Sequence, residues 1–137
     1  MPYTIGWYIE GEVIYVQYSG VASVEEMRNV MMETNVYLAQ GNRPLVHILV
    51  DATHVTKAST LVEIAQAMKG FKPDPHMGWV ITVGEQDKLV KFVNSIARQI
   101  WRARQRSFDT MDEAIDFLRE VDDELDWSKA EASILTS

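Results

Sequence analysis

Asp51, His54, Ser59 and Thr60 follow one another closely after the apolar run 45–50, and their side chains could do chemistry together. A carboxylate beside an imidazole orients it for general-base work, and a hydroxyl within reach invites a nucleophile. The surroundings argue for something quieter. Ser59 lacks the Gly-x-Ser-x-Gly setting that lifts a nucleophilic serine onto a strained elbow. An aspartate after a strand more often accepts N–H bonds from its own backbone, and a threonine opening a helix more often caps it. These four residues are therefore read as a switch or partner-binding loop. No catalytic residue is assigned, and the chain is not expected to be an enzyme.

His47 lies inside the apolar run itself. Alternation puts it on one face of a strand with Leu49, while Val46, Ile48 and Val50 take the other. A buried, charged and unpaired imidazole is costly, so His47 is predicted to be neutral and hydrogen-bonded, or to line a wet cavity. His47, His54 and His76 form no i, i+4 pair and the chain has no cysteine, so no metal site is assigned. No cofactor is implied.

Two further groups bear on binding. Met27, Met31, His47, Met68, Trp79 and Phe92 would give a soft, adaptable lining for a small apolar ligand. Stripes of this kind also make ordinary core. Lys88, Lys91, Arg98 and Arg102 recur at helical spacing and form a basic face. That face either pairs with Asp112, Glu113 and Asp116 downstream or meets an acidic partner or anionic headgroup.

The elements that must position these residues follow from periodicity. Segments 5–9 and 13–18 read as a hairpin turned at Glu10-Gly11. Capping boxes at Ser23, Thr60 and Thr110 open three helices, the first with Val24, Met27, Met31, Thr34 and Leu38 as its apolar stripe. A further helix carries Leu89, Phe92, Val93, Ile96 and Ile100. Strands are predicted over 45–50, 79–83 and 106–108. Alternating strands and helices after a hairpin give an α/β fold with a mostly parallel sheet and an antiparallel edge.

At 137 residues, 47% hydrophobic and 24% charged, the chain fits one soluble domain, drawn here as 1–126 with a frayed tail over 127–137. A net charge of -7 opposes nucleic-acid binding. The absence of cysteine, of a basic leader with an apolar core and of any span-length apolar run points to the cytoplasm, with no membrane span.

The strings "EVIYVQYSGVAS" (12–23), "LVHILVDATHV" (45–55), "GWVITVG" (78–84) and "SFDTMDEAIDFL" (107–118), in this order and spacing, resemble the STAS superfamily, and within it the SpoIIAA-like branch. The resemblance implies a STAS (SpoIIAA-like) fold, with a mixed, mostly parallel sheet, an N-terminal β-hairpin and about four helices. It implies a regulatory protein acting through protein–protein contacts. Phosphorylatable STAS antagonists carry Asp-Ser-Ser-Gly-Leu after the central strand, and the serine there takes the phosphate. The corresponding 57–61 here is Lys-Ala-Ser-Thr-Leu, without the aspartate and the glycine. A phosphate on Ser59 or Thr60 would still meet a helix N-terminus, worth about 0.3–1 kcal/mol. Sec14-type lipid carriers are similar in fold to this branch, which keeps a carrier or sensor of a lipid-like ligand as the alternative. An open edge or face at the first hairpin, with Trp7, Tyr8 and Tyr15, suggests a homodimer, although such residues also bury internally.

Overall fold

β-Branched and aromatic residues at alternate positions set the strands, and what each strand buries is decided by its parity. The computed structural model describes residues 3–41, 43–58, 62–63, 66, 70, 72, 74–84 and 104–136. Strands β1 (Tyr3–Ile9) and β2 (Val13–Ala22) pair antiparallel. Their turn is closed by the Glu12 N–H donating to the Ile9 carbonyl at 2.9 Å, with Gly11 at φ 75, where a side chain would be strained. Strands β3 (Val46–Ala58), β4 (Met77–Val83) and β5 (Arg104–Phe108) add in parallel, in the order β1-β2-β3-β4-β5.

Helix α1 (Val24–Gln40) begins where Ser23 accepts from the Glu26 N–H at 3.2 Å. Helix α2 (Met111–Val121) begins in the same way at Thr110, which accepts from the Glu113 N–H at 3.2 Å. Both caps were legible as sequence boxes. Of the two other expected helices, the one opened by Thr60 is described only at positions 62, 63 and 66, which are helical. The helix through Leu89 and Phe92 lies outside the described residues.

The sheet is covered on both faces. On one face Tyr15, Leu49, Ile81 and Val83 pack against Ala114 and Leu118 of α2, with Trp79 edge-on to Phe117 at 5.0 Å. On the other, Ile14, Val16, Val46 and Ile48 pack against Val30 and Leu38 of α1. The parity read from the sequence for β3 therefore holds.

Two expectations are corrected. The strand expected over 45–50 continues to Ala58, because β2 also runs on to Ala22 and supplies ladder partners, with register shifts between Gln17 and Ser19 and between Gly20 and Val21. Asp51 and His54 are thus strand residues and not loop residues. The segment from Trp127 is also not frayed. It forms two 3₁₀ turns, Trp127–Lys129 and Ala132–Thr136, and Trp127, Ala130, Ile134 and Leu135 pack onto the α2-side cluster. Its small polar residues obscured four apolar anchors that fit a groove beside β1.

Leu118 is fully buried between α2 and the sheet, so Leu118→Ala is expected to lower unfolding free energy by about 2–5 kcal/mol in urea titrations. Thr110→Ala, which removes only the cap, should cost about 1 kcal/mol.

Candidate functional site

Polar residues of β2 and β3 collect on the α2 side of the sheet, in two groups four residues apart along β3. The first surrounds His47, which is only 2% exposed. Its Nδ1 accepts from the Trp79 N–H at 3.0 Å, so the proton of the neutral ring sits on Nε2, which donates to Asp122 Oδ2 at 2.8 Å. The same carboxylate oxygen lies 2.7 Å from Arg43 Nη1. Burial pushes the His47 pKa down, and the Asp122 carboxylate opposes that shift without reversing it. Burial alone would raise Asp122, but the bonds from Arg43 and His47 hold it below the usual carboxylate range. Gly78 makes the approach possible, since a Cβ there would fall 2.5 Å from His47 Nδ1. Glu12 completes the group, its carbonyl accepting the His47 N–H at 3.0 Å and its carboxylate the Asp126 N–H at 3.3 Å.

This arrangement is a clamp. It joins the start of β3, the turn of the first hairpin and the chain leaving α2, and both imidazole nitrogens are engaged within the protein. His47 is the satisfied, neutral histidine that strand parity predicted.

The second group lies where β4 and β5 end, at the register positions Asp51↔Val83 and Val83↔Phe108. Asp51 is 6% exposed. Its Oδ1 accepts from the Thr53 N–H at 2.9 Å and the Thr53 hydroxyl at 2.6 Å. Its Oδ2 accepts from the Tyr15 hydroxyl at 3.3 Å, and Gln17 Nε2 donates to the same phenol at 3.2 Å. Burial, and then the Asp51 charge, push the Tyr15 pKa well upward, so the phenol stays protonated as a donor. His54 is exposed and, among the described residues, is not bonded to Asp51. The carboxylate–imidazole pairing weighed from the sequence is therefore not assembled.

The other expected positions divide as follows. Met27 is buried and Met31 half-buried on α1, whereas His47 and Trp79 face α2, so the sheet separates residues expected to share one lining. Met68, Phe92, Ser59, Thr60 and the basic face of Lys88, Lys91, Arg98 and Arg102 lie outside the described residues. Tyr8 and Tyr15 are buried in the interior, and Trp7 packs edge-on against Tyr37 at 5.2 Å. Arg43, Asp122, Glu12 and Thr53 were not singled out from the sequence. Arg43 and Asp122 are 79 positions apart, and only the parity of His47 hinted that a partner was needed.

No protein-family model and no curated protein matches the sequence. Solved structures do. An uncharacterized protein of the DUF3478 family with a SpoIIAA-like fold, from Shewanella loihica, matches with TM-score 0.60 at 21% identity, over 85% of this chain and 93% of that one. The Bacillus cell fate determinant SpoIIAA in its phosphorylated form matches with TM-score 0.54 at 15% identity, over 85% and 99%. An anti-sigma factor antagonist from Mycobacterium paratuberculosis matches with TM-score 0.51 at 14% identity, over 85% and 94%. The chain thus has the SpoIIAA-like fold that its sequence resembled. Among the described residues no helix is long and apolar enough to cross a membrane.

The clamp carries a pH dependence. The unfolded chain protonates His47 near its ordinary value of 6.5, while the folded pKa is lower, so the unfolded state binds more protons below that pH. Unfolding free energy is expected to be flat above about pH 7 and to fall as the pH drops below about 6.5. His47→Gln, which keeps a donor and an acceptor, should flatten that window in urea titrations while leaving the loss at lower pH from Asp122.

Proposed function

We propose that this chain is a non-catalytic, STAS-like regulatory protein of the cytoplasm. It works by binding a protein partner at the end of the sheet where β2 and β3 run on past β4 and β5. The reading rests on the state of Asp51. Its carboxylate is buried and committed to Tyr15 and Thr53, so it braces the strand. Among the described residues, the exposed side chains at that end include Thr53 and His54 on β3 and Asp109 and Thr110 just beyond β5. From Ala52 to Val62 the sequence contains no carboxylate, although the chain as a whole carries -7. A segment of this composition suits a partner with an acidic or hydrogen-bonding face. Ser59 and Thr60, next along the chain, are the positions at which a phosphate would reverse that preference.

Two fold neighbours point the same way, one being an anti-sigma factor antagonist by name and the other SpoIIAA in a phosphorylated form. An anti-sigma factor is accordingly the partner class to test. In calorimetric titrations against the anti-sigma factors of the source organism, one is expected to bind, and His54→Glu should weaken that complex at least tenfold, about 1.4 kcal/mol. Leu118→Val, far from this end, should leave it unchanged. Binding to none of them, or hydrolytic turnover that Asp51→Asn abolishes, would remove the reading.

A further inference from the structure

The sheet has two outer strands, and they are finished differently. Along β1 the register slips between Trp7 and Ile9, and the Glu131 N–H donates to the Tyr8 carbonyl at 2.8 Å. On the α2 face beside it, Ile134 Cδ1 lies where a Cβ on Gly6 would come within 2.8 Å, so glycine is what admits the contact. Strand β5 pairs with β4 alone among the described residues. What marks its edge is charge. Arg104 and Arg106 are exposed while Gln105 between them is buried, so both arginines stand on the α2 face of the strand, about 7 Å apart along it.

The Arg106 guanidinium lies 4.9 Å from the centre of the Phe117 ring and 5.6 Å from that of Phe108, which holds it in place at the rim between α2 and β5. Among the described residues the ion pairs use Arg43, His47, His76 and Lys129 as their cations, and none uses Arg104 or Arg106. In a chain of net charge -7, two guanidinium groups without a carboxylate partner are a recognition element left unused by the fold. The nearest acids by helical spacing, Glu113 and Glu120, lie one turn to either side of Phe117, and Glu113 is engaged by the Thr110 hydroxyl at 3.0 Å. A broad polyanion would meet the exposed carboxylates of α2, Asp112, Glu113, Asp116 and Glu120, beside the two arginines. A single extended chain laid outside β5 avoids them.

We propose that the outer edge of β5 takes up an extended, acidic segment of a protein partner as an added strand, with carboxylates at alternate positions meeting Arg104 and Arg106. Charges on an outer strand discourage indiscriminate pairing, and the same charges select a strand of opposite sign. The main chain supplies the ladder, and the two guanidinium groups fix which face of the incoming strand carries its acids. This strip is separate from the end of β3 that carries Thr53 and His54.

The test is an NMR titration of the full, isotope-labelled chain with a blocked peptide of about six residues, an ordinary strand length, in which glutamate and valine alternate. At low ionic strength the amide shifts are expected to move along β5 and not along β1, with a Kd below about 1 mM that rises with salt. A peptide of the same composition with its glutamates grouped at one end puts fewer carboxylates on one face and should bind more weakly. Arg104→Glu together with Arg106→Glu should weaken the alternating peptide at least about tenfold and admit its lysine–valine counterpart. Arg28→Glu, a change of charge on the exposed side of α1, should leave binding unchanged. Shifts that gather elsewhere, equal binding of the grouped peptide or equal loss on Arg28→Glu overturn the proposal, as does tighter occupation of β5 by a DNA duplex, a phosphatidylserine vesicle or a second copy of the chain. Should the double variant lose its sheet signal in circular dichroism, Arg104→Glu alone must weaken binding at least about threefold; no change overturns the proposal.

Discussion

A strand covered on both faces has no side left for water, so every polar group on it must find a partner within the protein. The part of β3 from Val46 to Asp51 is in that position, with α1 beneath one face and α2 above the other. His47 and Asp51 are the cost of placing polar residues on such a strand, and the two hydrogen-bonded groups on the α2 side are the answer to it. His47 draws in Asp122 and Arg43, and Asp51 draws in Tyr15 and Thr53. Other features follow from these demands. Position 78 is glycine because the imidazole needs that space, and the chain leaving α2 is held over the start of β3 because Asp122 is bonded there.

The two groups have different consequences although their chemistry is similar. The His47 clamp ties together elements distant in sequence and acts on stability, with a sign set by burial of a neutral imidazole. The Asp51 group lies where two of the strands stop, and it stiffens the part of β3 that, among the described residues, pairs only with β2. A carboxylate engaged by three donors is a good brace. That is the part Asp51 plays at this end of the sheet.

The edges of the sheet obey the same rule as its faces. Where β1 bulges, a carbonyl is left over, and a segment remote in sequence supplies the N–H. Order in residues 127–136 is thus a product of tertiary demand, since their own helical tendency is slight. Trp127, Ile134 and Leu135 were visible in the sequence. Their target was not, because the groove beside β1 exists only once the sheet has formed and Gly6 has opened it.

Much was readable without coordinates: the hairpin, the caps at Ser23 and Thr110, the parity of β3 and the neutral state of His47. All of these depend on interactions between near neighbours, or on a two-residue or 3.6-residue period, which a linear string displays directly. The extension of β3 to Ala58, the separation of Met27 and Met31 from His47 and Trp79, and the pairing of Arg43 with Asp122 were settled only by the tertiary structure. Each is a relation between distant segments, fixed by which face of the sheet a residue occupies and which strand lies beside it.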